Sequence, residues 1–200
     1  MVNNLSHSSS YLISLKKYVT PGLSLWYHNP VKSEEKIAEL VAHLAELTPG
    51  YYPGPIFQQF SRLTVNPIIE IVPLRKRPDS QLEVLLLERD VDDPIFPGEL
   101  HTPGTVIRPS DSSGSFKDAF ERILEDELSG LKTKPPVFVQ NIFHHSGRGM
   151  ESSQIFWTEV LEEPKVGRFY EVDRLPERLM ASQLDFIPIA IDHYLVNSSN

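Results

Sequence analysis

The stretch FPGELHTPGTVIRPSDSSGSFKDAFERILEDELSG, residues 96–130, decides the fold of this chain. It begins as a loop with a Pro-Gly turn and ends in a segment whose apolar residues recur at helical spacing. Acidic side chains occupy the outer face of that predicted helix. The stretch is therefore either a cation site for phosphate chemistry or an ordinary loop followed by an amphipathic helix.

The composition limits the classes of function that this stretch can serve. The chain has 200 residues, of which 40% are hydrophobic, and this suits one domain with an extension or two small domains. A net charge of −8 argues against nucleic acid as a partner, because such binding needs a basic surface. A small phosphorylated ligand stays compatible with this charge, since a bound cation reverses the local sign.

Cysteine usage and hydropathy point to a cytoplasmic protein. The chain has no cysteine, which excludes disulfides, thiolate metal sites and a cysteine nucleophile. Its first residues lack the basic start and long apolar core of a signal peptide. No apolar run reaches the roughly 18 residues of a spanning helix, so we expect no membrane partner.

Residues 1–66 are predicted to form an N-terminal extension with one helix at 33–48. Ser33 is the expected N-cap, and residues 51–57 are expected to be a turn-rich linker. The apolar residues of the helix form one stripe, which predicts either packing within the chain or a homodimer. The stripe comprises Ile37, Leu40, Val41, Leu44 and Leu47.

Residues 67–200 are predicted to form a domain with the order strand, strand, loop, helix, strands, helix. PIIEIVPLRKR is the first strand, which we expect Pro73 to limit, and LEVLLLERD is a second strand that is buried on both faces. FKDAFERILEDEL is a helix that ends near Gly130. This order predicts an α/β domain.

The motif within this order resembles the box of the Nudix hydrolase superfamily. In that box a glycine loop after a strand leads through a spacer into a helix with Arg-Glu-x-x-Glu-Glu. LHTPG resembles the loop, AFERILEDELSGL the helix and its exit, and VDRLPERL a later Leu-Pro turn. The resemblance implies a Nudix-type α/β/α sandwich around a mixed sheet, and hydrolysis of a nucleoside diphosphate linked to another moiety.

The box is degenerate, and its helix departs from the family pattern at Ile123 and Asp126, with Ser129 inserted before the exit glycine. Arg122 stands at the helix arginine, but Ile123 replaces the glutamate that should follow it. Asp126 and Glu127 occupy the paired glutamate positions. AFER at 119–122 is most similar to the GDP-mannose mannosyl hydrolase branch, which makes nucleotide sugars candidate substrates.

The loop departs from the pattern as well. Thr105 stands where a second glycine is expected, and Asp111 is the nearest counterpart of the spacer glutamate. The resemblance implies a Mg²⁺ or Mn²⁺ ion held by Glu127, with Asp126 assisting directly or through water. The carbonyl of Gly104 would be a third ligand.

Four further residues are candidates for orienting groups or for contacts with the substrate. Arg122 can pair with Asp126 or Glu125 and orient the carboxylates. His101 before the Pro-Gly turn, and His145 and Arg148 around the next loop, are candidate substrate contacts, with a strand end and exposed polar residues as the structural alternative. Glu151 in that loop could complete a metal shell.

Ile123 also favours a function of another class. A helix without its middle carboxylate is compatible with a catalytically inactive Nudix-like module that binds a nucleotide or a protein partner.

Overall fold

The computed structural model describes residues 33–197, and the chain divides into two compact units between Leu47 and Thr48. Residues 1–32 of the predicted extension lie outside the described part. In the first unit, helix α1 spans Glu34–Ala45, and the side chain of Ser33 accepts a hydrogen bond from the amide of Lys36 at 3.3 Å. The predicted helix and its cap are therefore present.

The second unit begins with a helix that the sequence analysis placed in a linker. Helix α2 spans Gly54–Leu63 and follows Pro53, and Pro55 lies in its first turn. Proline is tolerated there because the first amides of a helix have no partner within the helix. The prediction of a linker over 51–57 holds for residues 51–53 and was wrong from Gly54 onward, because Pro53-Gly54-Pro55 begins a helix.

Seven strands among the described residues form one mixed sheet. The order along the main path is β3-β2-β1-β6-β5, with β4 paired to β1 and β7 to β2. The β1–β6 pair is parallel, and the other pairs are antiparallel. The strands are β1 Asn66–Lys76, β2 Leu82–Glu88, β3 Leu100–His101, β4 Gly104–Val106, β5 Val137–Ser146, β6 Gly149–Glu159 and β7 Arg168–Glu171.

Strand β1 continues through Pro73, contrary to the expectation that this proline would limit it. On one side β1 pairs with β6 along its length. On the other side it pairs first with β4, up to Glu70, and then with β2, from Leu74. The amide of Ile71 points to this second side, where it donates to Pro103. Backbone amides alternate in direction along a strand, so the missing N–H of Pro73 would face the same side as that of Ile71. On that side Pro73 lies between the segment paired with β4 and the segment paired with β2, so the proline removes no hydrogen bond of the sheet.

Helices cover the two faces of the sheet, which is the predicted α/β/α sandwich. Helix α3 spans Lys117–Arg122 and continues as one π-helical turn, and helix α4 spans Gln183–Asn197. One core packs α3 against β1, β2 and β6, and the other packs α4 against the opposite face. Strand β1 contributes to both cores because its side chains point to both faces of the sheet: Ile69 and Ile71 face one core, and Val72 and Leu74 face the other.

The π-helical turn spans Ile123–Glu127. The amide of Leu128 donates to the carbonyl of Ile123 at 3.1 Å, five residues back, and the amide of Gly130 closes the end on Leu124 at 2.8 Å. Ser129 and Gly130 both have positive φ, at 51° and 74°. Single π turns inside helices are frequent at functional sites, and Glu127 is the last residue of this one.

Candidate functional site

A cavity of about 740 Å³ opens beside β1 and β4 and is lined by charged side chains of both signs. This volume lies within the range of small-molecule sites. Carboxylates come from β1, from β2 and the loop after it, and from the π turn, and guanidinium groups come from the end of β2, the β5–β6 turn and β7. The lining residues used below are Glu70, Arg89, Asp93, His101, Gly104, Thr105, Glu127 and Arg148.

Glu127 extends from the π turn to the beginning of β4. Its Oε2 accepts a hydrogen bond from the amide of Gly104 at 3.1 Å. Burial raises the pKa of Glu127 to about 7, although the Gly104 amide opposes this shift. The structure thus brings together the two main residues of the predicted cation site.

Glu70 reaches the same glycine from strand β1. It is the register partner of Gly104 across the β1–β4 pair. A β-carbon on Gly104 would lie 2.7 Å from the carboxyl group of Glu70, so only glycine leaves room for it. Burial raises the pKa of Glu70 to about 8, against a hydrogen bond from Thr102 Oγ1 at 3.0 Å, and the charge of Glu127 adds to the rise.

Arg89 and Arg148 line the cavity together with these carboxylates. Arg148 Nε donates to Glu151 Oε1 at 3.1 Å, and Arg89 Nη1 donates to Asp93 Oδ2 at 3.4 Å. Both guanidinium groups lie near the ring of Phe96, whose centre is 5.8 Å from the Arg148 guanidinium carbon and 5.9 Å from that of Arg89. The guanidinium groups are thus positioned by neighbours that leave each of them further N–H donors.

His101 lines the cavity as a neutral imidazole. Its Nδ1 is 2.7 Å from the carbonyl of Thr102, which only accepts, so Nδ1 carries the proton. Burial, together with the positive charge of Arg89, lowers the pKa of His101 to about 4. This leaves Nε2 as an acceptor in the neutral ring.

Arg122 orients the loop before the helix and does not pair with the acids of its own helix. It forms a bidentate ion pair with Asp111, and its Nη2 also donates to the carbonyl of Val106 at 3.1 Å. The expected pair with Asp126 or Glu125 is absent among the described contacts. Asp111, the nearest counterpart of the spacer glutamate, holds the arginine instead.

Several residues named in the sequence analysis do not line the cavity. Asp126 is exposed and does not line it, and Ile123 is fully buried in the core beneath α3. His145 is exposed on β5, and its neighbour His144 places Nε2 3.0 Å from Ser153 Oγ. Glu151 is buried within β6, not in a loop as predicted.

The cavity also contains residues that the sequence analysis did not single out: Glu70, Arg89 and Asp93. A signal for two of them exists in the sequence. Glu70 interrupts the apolar run of PIIEIV, and Arg89 ends the apolar run of LLLERD. A charged side chain inside or at the end of a buried strand is rare without a partner or a ligand.

No three or more His, Asp or Glu side chains within residues 33–197 converge on one metal-binding point. No helix of this described part has the length and apolar character needed to span a membrane.

Comparison with known proteins finds likeness at the level of structure. No family model matches the chain, and no curated protein matches it. A mutT/nudix family protein from Listeria innocua superposes with a TM-score of 0.53 at 19% identity, covering 66% of this chain and 96% of that one.

Two further structures are similar. The C-terminal domain of mouse MUTYH, solved in complex with human PCNA, has a TM-score of 0.52 at 15% identity and covers 65% of this chain and 90% of its own. Shewanella oneidensis NrtR has a TM-score of 0.50 at 17% identity, over 64% of this chain and 63% of its own. At these identities the likeness establishes the fold, which is the predicted Nudix type.

Proposed function

We propose that this protein hydrolyses a nucleoside diphosphate linked to another group, with nucleotide sugars among the candidates. The observation that carries the proposal is the half-buried carboxylate of Glu127, which accepts the Gly104 amide in a cavity that Arg89 and Arg148 also line. Strongly shifted pKa values in a cleft are typical of functional sites. The fold alone would not decide this, because one fold serves several functions.

The arginines suit the diphosphate part of such a substrate. A guanidinium group binds phosphate oxygens in pairs and stays charged at any physiological pH. Arg148 and Arg89 each retain donors beyond those used for Glu151 and Asp93. A diphosphate in the cavity would therefore be held and oriented by these two guanidinium groups.

The donor set fits Mg²⁺ or Mn²⁺ as the cofactor. Magnesium keeps several waters and is commonly bound by one or two carboxylates together with substrate phosphates, so a three-carboxylate cage is not required. Glu127 would hold it, with the Gly104 carbonyl as a second oxygen donor. When bound, the cation offsets the negative charge of the diphosphate.

The remaining predicted site residues would contact the substrate or hold the loop beside it. His101 presents the unprotonated Nε2 of a neutral ring, which accepts a hydrogen bond from a sugar hydroxyl or a water. Arg122, through Asp111 and Val106, fixes the loop that leads from Gly104 to the helix. Asp126 is exposed, so any contribution from it would pass through water.

A hydrolysis screen tests the proposal. Nucleoside diphosphate derivatives are incubated with wild type, Glu127→Gln and Glu125→Gln, with and without Mg²⁺ or Mn²⁺. We expect turnover that depends on the metal and falls by about 100-fold or more in Glu127→Gln, with little change in Glu125→Gln, because Glu125 is exposed. Absence of turnover across the panel, together with no cation binding near millimolar, would reject the hydrolase.

Ile123 supports a second candidate, a catalytically inactive module that binds a nucleotide or a protein. Its side chain is fully buried, so the helix offers no carboxylate there. The similar MUTYH domain was solved bound to another protein. Calorimetric binding of a nucleotide without turnover would favour this candidate over the hydrolase.

We also propose that the chain forms a homodimer through α1. All residues of this helix are exposed, including the apolar Ile37, Leu40 and Val41. An exposed apolar stripe of this kind commonly marks an interaction surface. Sedimentation of the full chain against the Leu40→Lys/Val41→Lys variant tests it: we expect the variant to be monomeric, and a monomeric wild type would contradict the proposal.

A further inference from the structure

The helix by itself leaves the cation site incomplete. Ile123 is packed in the core, and Asp126 is exposed outside the cavity. Among the three helix positions that the box devotes to carboxylates, only Glu127 faces Gly104. A second carboxylate therefore has to come from another element of the fold.

We propose that Glu70 of strand β1 is the second carboxylate of the cation site, in place of the one that Ile123 cannot supply. The inference rests on the proposed function in one respect only, since it takes a divalent cation as the ligand. No box motif includes this strand residue, and its role follows from the register of β1 against β4.

The register places the two carboxylates on the same glycine. Glu70 lies opposite Gly104 in the β1–β4 ladder, and its carboxyl group occupies the space that a β-carbon of Gly104 would fill. Glu127 accepts the amide hydrogen of that same residue. Both carboxylates line the cavity, so a cation there would be reached from the strand and from the helix.

Neither carboxylate has a cationic partner in direct contact within residues 33–197. The two arginines that face them make their ion pairs with other acids, Arg148 with Glu151 at 3.1 Å and Arg89 with Asp93 at 3.4 Å. Glu70 is buried beside the half-buried Glu127 and has no ion pair, so its ionised form is costly unless a cation is bound there. A divalent ion between them removes this cost and uses both.

Thr102 orients Glu70 through one carboxylate oxygen. The hydroxyl of Thr102 lies 3.0 Å from Glu70 Oε2 and 2.6 Å from Gln183 Oε1, and it has one proton to donate to either of them. Thr102 and Gln183 are both buried, and Oε1 of Glu70 has no hydrogen-bond partner in the described part of the chain. This is the arrangement expected of a positioned metal ligand, whose outer partner orients it.

The test measures Mn²⁺ binding without substrate, by electron paramagnetic resonance and by calorimetry. Wild type is compared with Glu70→Gln, Glu127→Gln and the control Glu125→Gln. We expect Glu70→Gln and Glu127→Gln each to weaken Mn²⁺ binding by about tenfold or more, because the charge count of the ligands sets the affinity. Glu125→Gln should stay within about twofold, since that side chain is exposed.

Wild-type affinity in Glu70→Gln, beside a loss in Glu127→Gln, would overturn the role of Glu70. Glutamine matches the shape of a protonated glutamate, so the variant is expected to fold, and thermal unfolding in EDTA verifies it.

The two proposals fail separately. Binding of Mn²⁺ that needs both glutamates but accompanies no turnover would reject the hydrolase and support the site. Metal-dependent turnover with unchanged Mn²⁺ affinity in Glu70→Gln would support the hydrolase and reject Glu70 as a ligand.

Discussion

The carboxyl group of Glu70 lies over Gly104, within 2.7 Å of the point where a β-carbon on that residue would be. The two residues are direct partners across the β1–β4 ladder, and a glycine at the beginning of β4 is what allows a buried acid at this place in β1. The backbone of Gly104 does not have the left-handed φ that favours glycine. Its small size is therefore the property that matters.

Gly104→Ala is expected to destabilise the protein by about 1–3 kcal/mol, because the added methyl group would displace the carboxyl group of Glu70 from its hydrogen bond with Thr102. In a Glu70→Ala background the same substitution should cost less than about 0.5 kcal/mol, since the obstructing group is gone. Urea denaturation of the four proteins in the cycle measures both values. An equal cost in the two backgrounds would show that the glycine is needed for another reason.

The stability of the metal-free protein should fall as the pH rises through the range set by Glu70. Its pKa is about 8 in the folded state against an ordinary value of 4.5, so the folded protein binds the proton more tightly. The stabilisation that comes from this tighter proton binding is complete below pH 4.5 and is lost progressively as the pH rises to about 8.

Glu70→Gln lacks this loss. Its advantage over wild type should be near zero at low pH and reach on the order of 4 kcal/mol above the folded pKa. Urea denaturation in EDTA between pH 4.5 and 8.5 tests this, with Glu125→Gln as the exposed control. Parallel curves for wild type and Glu70→Gln would contradict the expectation.

The ion pair of Arg122 with Asp111 should contribute to stability more than an ion pair on the same helix surface. Asp111 is largely buried, and Arg122 holds both of its oxygens. Asp111→Ala is expected to cost about 2–3 kcal/mol, because it leaves the guanidinium group partly buried without its partner.

Glu121→Gln is the matched control for this prediction. It breaks the exposed pair with Lys117, whose Nζ lies 3.5 Å from Glu121, and should cost less than about 0.5 kcal/mol. Chemical denaturation of both variants gives the comparison, and similar losses would show that burial adds nothing to the Asp111 pair.

Restoring the family residue on the helix should not restore a ligand. Ile123→Glu would place a carboxylate in the core beneath α3, and we expect a loss of more than about 3 kcal/mol without any gain in Mn²⁺ affinity. Ile123→Val, a change of one methylene, should cost about 0.5–1.5 kcal/mol. Tighter Mn²⁺ binding by a folded Ile123→Glu variant would mean that this position faces the site.

Much of the architecture was predictable from spacing along the chain. The α1 cap, strand β2 and the helix after the glycine loop each follow from local patterns, and the structure contains all three. Helix α2 was missed because its Pro-Gly pairs are equally typical of a turn, and proline tolerance in the first turn of a helix leaves no separate signal. The continuation of β1 through Pro73 depends on which neighbours flank that residue.

The sequence by itself determined the order of elements, the apolar faces and the pairing of a glycine loop with an acidic helix, because these depend on residues a few positions apart. Only the tertiary structure decided which charges meet: Glu70 with Glu127 at Gly104, and Arg122 with Asp111. These contacts depend on the register of β1 against β4 and on the π turn. The register and the turn are fixed when both faces of the sheet are buried, and that burial involves residues far apart in the sequence.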